Sequence, residues 1–243
     1  MEILRSQRLW ALFCGSTVLL LLMSSVAQRQ LQSFRASVRP AKEVGEDFSI
    51  YYVAGKVARQ EGDRTLYYAS ANGQKLTVRN LLDPVPPDTA WIRVAEACGF
   101  HSTGRFMAPP FTALLAEPLT RMPPMLALLA WRLASTLFLV MAVYLSLMLF
   151  EGARHSLELF VAAVAAGFSF FPFVETLFQG QVDAFVLLLW VLGVYFVQTR
   201  ASVSSAFCFA LATMIKLSPA LVVGVFLLRR QWRWLAAYTL WMA

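Results

Sequence analysis

Residues 125–150 read MLALLAWRLASTLFLVMAVYLSLMLF, and this run decides the fold class. Its one charged residue is Arg132. The run is longer than the roughly 20 apolar residues that carry a helix across a hydrocarbon core at about 1.5 Å per residue. Apolar and polar residues do not alternate along it, so it reads as a helix and not as a strand of a closed barrel. The pattern recurs outward from there: residues 9–27 follow Arg5 and Arg8, and 157–174 and 183–197 are each bounded by polar or charged residues. With 58% hydrophobic and 14% charged residues and a mean hydropathy of +0.60, the chain is far more apolar than a soluble domain. The expected class is all-α: a polytopic integral membrane protein with four full crossings.

Residues 28–107 are different. They are polar, rich in Arg, Asp and Gly, and broken by Asp83-Pro84-Val85-Pro86-Pro87, so they form one large extramembrane loop. Within that loop Phe48, Tyr51, Tyr52, Val53, Val57 and Ala58 make a helical stripe suited to a membrane surface. A second short helix is expected over 89–98. Pro109-Pro110 then opens 111–119, too short to cross and closed by Pro123-Pro124, which reads as a segment dipping into the interface. The rival for 9–27 is a cleaved signal, given the small-x-small sequence Ser25-Val26-Ala27.

Residues 204–228 are apolar but interrupted by Lys216 and Pro219, with Arg200 before them and Arg229-Arg230 after. Basic residues collect on cytoplasmic short loops, so both flanks belong on one side and the stretch enters and returns as two short helices meeting near 216–219. Arg154 joins the same side, while the turn with Glu175 and Asp183 has no basic residue. The 28–107 loop is then extracytoplasmic. The net charge of +7 follows from this retention of Lys and Arg, and no nucleic-acid partner is needed to explain it. The final apolar run, 234–243, is shorter than a span, which points to a fragment of a longer protein.

The chemistry must come from few residues. There is no GxGxxG, no GxxxxGK[ST], no HExxH and no GxSxG, and the two histidines, His101 and His155, fall on opposite sides of the expected topology. Cys14 and Cys208 lie in apolar runs and leave Cys98 alone, so no metal site or disulfide framework is legible. The acidic pair Glu46-Asp47, just ahead of the aromatic stripe, is the notable feature, because a carboxylate there can meet both an aqueous acceptor and a membrane-borne donor. The plainer alternative is that Asp47 caps the helix that follows it.

Five pieces occur in order: Gly45-Glu46-Asp47-Phe48-Ser49-Ile50-Tyr51-Tyr52, then 62–67, Ala108-Pro109-Pro110-Phe111 with Pro118-Leu119, Gln179-Gly180-Gln181-Val182-Asp183, and Ile215-Lys216-Leu217-Ser218-Pro219. In order and spacing they resemble glycosyltransferase family 87, which contains polyprenyl-phosphate-mannose-dependent mannosyltransferases of the GT-C superfamily. Asp183 stands where that family more often has Asn, and Ala108 where a Tyr often precedes the two prolines.

The resemblance implies one GT-C-like membrane domain over 1–243. It implies a donor carrying sugar on polyprenyl phosphate, a glycan or glycolipid acceptor, and Asp47 as the catalytic base. No cofactor or metal is implied. Lys216 and Arg132 are the candidates for the donor phosphate, since an ionisable side chain inside an apolar run is costly and functional by default; for Arg132 the alternative is snorkelling beside Trp131. Gln179 and Gln181 are candidates to hydrogen-bond sugar or phosphate, with Tyr51, Tyr52 and Asp183 completing the substrate-binding set and Gly180 permitting a tight turn. The competing reading is a transporter or flippase-like protein in which Lys216, Asp183 and Glu175 line a pathway. A third is a non-catalytic scaffold.

Overall fold

The computed structural model describes residues 46–61, 90–100, 106–149, 157–169 and 171–243. The expected span at 9–27, the piece at 62–67, the Pro-rich break at 83–87 and the turn with Arg154 lie outside the described residues. Among those described, the structure is helical throughout, with no strand.

Helix α1 (Glu46–Glu61) and helix α2 (Ala90–Ala97) fall where the apolar stripes place them. The stripe of α1 is not laid on a surface, however. Phe48, Tyr52, Val53, Ala54 and Val57 are buried in one cluster with Trp91, Val94 and Phe106. Helix α1 crosses helix α3 (Pro110–Ala116) at Gly55, where a β-carbon would stand 2.9 Å from the Glu117 nitrogen and 3.0 Å from the Ala116 carbonyl carbon. Only glycine lets the two backbones approach so closely. A 3₁₀ turn, Glu117–Arg121, joins α3 to the 25-residue helix α4 (Pro124–Met148), which Pro123-Pro124 starts cleanly because proline at N1 gives up no helical donor.

Helix α4 is the one described helix long and apolar enough to cross a membrane by itself. Leu126, Leu129, Leu133, Leu137, Met141 and Tyr144, spaced three or four apart, leave an apolar stripe exposed along it.

The run at 157–174 corrects the sequence expectation. It is not one straight helix but helix α5 (Leu157–Ser169) followed by helix α6 (Phe171–Gln179), bent by 62° at the break. Pro172 accounts for this: it lacks the N–H needed to continue α5. Helix α7 (Asp183–Gln198) has 16 residues, about 24 Å at 1.5 Å per residue, which is short of a roughly 30 Å hydrocarbon core. Among the described residues, α4 is thus the one expected crossing met by a single straight helix of full length.

The stretch at 204–228 behaves as the flanking arginines require. Helix α8 (Ser202–Ile215) stops at Lys216, whose backbone is extended. A 3₁₀ turn, Ser218–Leu221, leads into helix α9 (Val222–Leu228). Phe226 returns to Phe209, ring centroids 6.2 Å apart, so the chain doubles back with Lys216 at the tip. Thr112 Oγ1 donates to the Ile215 carbonyl at 2.9 Å, satisfying an orphan acceptor at the end of α8 and tying the tip to α3.

Helix α10 (Trp232–Met242) then runs parallel to α8: Trp234 Nε1 donates to Ser205 Oγ at 3.0 Å and Tyr238 Oη to Thr213 Oγ1 at 2.9 Å. These buried polar groups satisfy one another, which fixes the register of two otherwise apolar helices.

Two turns carry arginine in the left-handed region, Arg200 at φ 60° and Arg230 at φ 53°. The N–H of the next residue bonds back five positions in each, Ala201 to Phe196 and Gln231 to Phe226. This is the geometry of a helix end where glycine is cheapest. Asp183 meets Lys216 across the antiparallel pair α7 and α8, which puts Arg200, Arg229 and Arg230 at the opposite end of those helices.

Candidate active site

Several of the residues singled out in the sequence come together near the turn between α6 and α7. Helix α6 ends at Gln179, Gly180 takes φ +71°, and the Gln181 N–H bonds back to the Thr176 carbonyl at 2.9 Å. Gly180 is obligatory here twice over: the backbone is left-handed, and a β-carbon would lie 2.6 Å from Phe48 Cβ. Trp131 Nε1 donates to the Gly180 carbonyl at 2.8 Å, so α4 holds the same turn from its other side.

This rigid turn presents Gln181 to α1. Gln181 Nε2 donates to Asp47 Oδ2 at 2.7 Å, joining residues from opposite parts of the chain. An ionised carboxylate can only accept, so the amide nitrogen must face it, and Gln181 Oε1 is then turned to Thr176 Oγ1 at 3.3 Å. Asp47 is the second residue of α1, inside the helix and not at the position preceding it. The carboxylate sits well in a first turn whose free N–H groups attract negative charge.

Tyr51, one turn further along α1, packs its ring on Trp131, centroids 6.2 Å apart. Burial first, and then the charges of Asp47 and Asp183, push its phenol well above the ordinary range, so it stays protonated. Lys216 Nζ donates to Asp183 Oδ1 at 2.6 Å. The side chains are 49% and 35% exposed, too open for this pair to add more than about 1 kcal/mol of stability. Its place at the hairpin tip is therefore not explained by stability.

The remaining candidates separate from this group. Tyr52 is 2% exposed, its hydroxyl donates to the Met122 carbonyl at 2.7 Å, and its ring packs α1 into the core. Gln179 Nε2 donates to Glu175 Oε1 at 2.9 Å along α6. One terminal nitrogen of Arg132 donates to the Phe178 carbonyl at 3.0 Å, while its Nε is buried with no partner among the described residues. Arg132 thus reaches the end of α6 beside Trp131, not the Asp47 cluster. Sequence reasoning missed Thr176, Thr112 and the indole of Trp131, ordinary residues in apolar helices until their partners are known. No group of three or more His, Cys, Asp or Glu that could hold a metal ion occurs among the described residues.

An acidic residue held at a helix start, a second carboxylate and a half-exposed lysine cation paired with it form a constellation suited to group transfer onto a hydroxyl, and the comparison with known families agrees in class. Residues 106–243, more than half of the chain, match the model of glycosyltransferase family 87. The chain belongs to that family. The match takes in Arg132, Gln181, Asp183 and Lys216 and begins after Asp47. No curated protein and no solved structure matches the chain.

Proposed function

We propose that the chain is a GT-C-type membrane glycosyltransferase that moves a hexose, mannose or a similar sugar, from a polyprenyl-phosphate donor to an extracytoplasmic glycan or glycolipid acceptor. The observation that carries this reading is the gathering of Asp47, Tyr51, Asp183 and Lys216 around one glycine turn at one end of the helices. Asp47 is the general base: it takes the acceptor hydroxyl's proton as the hydroxyl oxygen bonds to the anomeric carbon. The bond from that carbon to the phosphate oxygen breaks, and its electron pair leaves with polyprenyl phosphate. Lys216 stabilises the negative charge on that phosphate, exchanging its contact with Asp183 for one with the donor.

Orientation follows from the arginines. Arginine in the left-handed region costs roughly 1–2 kcal/mol relative to glycine, yet both Arg200 and Arg230 occupy it. A cation kept at such positions fits the cytoplasmic end of a membrane bundle, which leaves Asp47 outside. With the native cysteines replaced by serine, a cysteine at Glu96 is expected to react with an impermeant maleimide on intact cells, and one at Arg229 only after permeabilisation. The opposite pattern would reverse the topology.

Lys216→Met tests the phosphate role. The thioether keeps the length and removes the charge, so the donor KM is expected to rise about tenfold or more while the protein inserts normally, since a charge-assisted hydrogen bond contributes about 1.5–3 kcal/mol. An unchanged donor KM and kcat would make the lysine structural.

A further inference from the structure

Gln181 reads in the sequence as a ligand for sugar or phosphate, but its side chain is directed elsewhere. Its amide donates to Asp47 Oδ2 at 2.7 Å and its carbonyl faces Thr176 Oγ1 at 3.3 Å. Its backbone N–H is fixed to the Thr176 carbonyl at 2.9 Å, and the preceding carbonyl is held by Trp131 at 2.8 Å. Four hydrogen bonds thus fix one turn and one side chain, and the free end of that assembly is an N–H aimed at the proposed base.

We infer that Gln181 is a positioning residue for Asp47. By occupying Oδ2 it orients the carboxylate so that Oδ1 meets the acceptor hydroxyl, and Thr176 lies against the amide's other end. The inference rests on Asp47 being the base. It is carried by the 2.7 Å hydrogen bond from the Gln181 amide to Asp47, whose direction is fixed because an ionised carboxylate only accepts. A group that acts through orientation changes turnover, not substrate affinity, because a misplacement of about 1 Å costs on the order of 100-fold in rate.

The test is steady-state kinetics of the full chain in proteoliposomes with a polyprenyl-phosphate-linked hexose, comparing Gln181→Met, Asp47→Asn and the double variant. Gln181→Met keeps the volume and lacks the donor. It is expected to lower kcat about 10- to 100-fold with donor and acceptor KM within about twofold, and to add nothing further in the Asp47→Asn background, because the two residues act as a unit. A raised KM with kcat intact, or additive losses in the double variant, overturns the inference and makes Gln181 a substrate ligand. Wild-type turnover by Asp47→Asn instead removes the base itself, a distinguishable failure. Should Gln181→Met not accumulate, Thr176→Val releases the same amide from its far side and is expected to lower kcat alone; a KM effect there decides against the inference equally.

Discussion

Asp47→Asn is expected to insert and accumulate as the wild type does and to transfer little or no sugar. The two substitutable roles of the side chain demand different things. In the first turn of α1 asparagine loses only the carboxylate's attraction to the free N–H groups, so stability should fall by about 0.3–1 kcal/mol. The amide can also still meet Gln181, since its carbonyl oxygen accepts the 2.7 Å hydrogen bond now made to Oδ2. What it lacks is a lone pair of usable proton affinity for the acceptor's proton, and losing a general base costs about 10² to 10⁴ in rate. Normal expression with near-wild-type transfer would leave Asp47 as a helix-start residue only.

Gly180→Ala should give the largest structural effect. The methyl group must find room 2.6 Å from Phe48 Cβ, 3.5 Å from Phe48 Cα and 3.5 Å from Phe48 Cγ, in a residue whose φ is +71°. The left-handed backbone alone costs alanine roughly 1–2 kcal/mol, and forcing atoms into a packed contact adds about 1–3 kcal/mol. Phe48 Cβ cannot swing away, being fixed to its backbone, so α1 itself must move off the turn. Thermal unfolding in detergent should show the midpoint lowered by about 5–15 °C, using 2–4 °C per kcal/mol for a chain of this size. Transfer should fall as well, because the same displacement separates Asp47 from Gln181. Gly224→Ala is the control: nothing lies within 4 Å of its added carbon, and alanine is the better helix former. Equal behaviour of the two variants would refute the account of the turn.

How much of this was legible beforehand differs by kind of feature. Helix α1 and the reversal at Lys216 are local matters, written in the spacing of apolar residues and in a proline beside a charge, and the structure has both. The break between α5 and α6 was equally local. Pro172 sits inside the run 157–174, but the apolar character of its neighbours hid it, since hydropathy does not register a missing N–H.

The site was legible as a set of residues but not as an arrangement. Periodicity says which face a residue occupies on its own helix and nothing of what it meets, so Asp47 with Gln181, 134 positions apart, could not be paired in advance. Tyr51 and Tyr52 show the same limit. Adjacent and alike in sequence, they point about 100° apart on α1, Tyr51 onto Trp131 and Tyr52 into the core. Membership of glycosyltransferase family 87 agrees with the resemblance drawn from five short motifs, of which the last three lie within the matched residues 106–243.

One measurement bears most directly on the central claim: sugar transfer by the purified full chain in proteoliposomes supplied with a polyprenyl-phosphate-linked hexose and no nucleotide sugar, wild type beside Asp47→Asn. The account predicts a glycosylated acceptor and released polyprenyl phosphate for the wild type, with the variant reduced about 10² to 10⁴-fold. Transfer that requires a nucleotide sugar, or that proceeds equally without the Asp47 carboxylate, would contradict it.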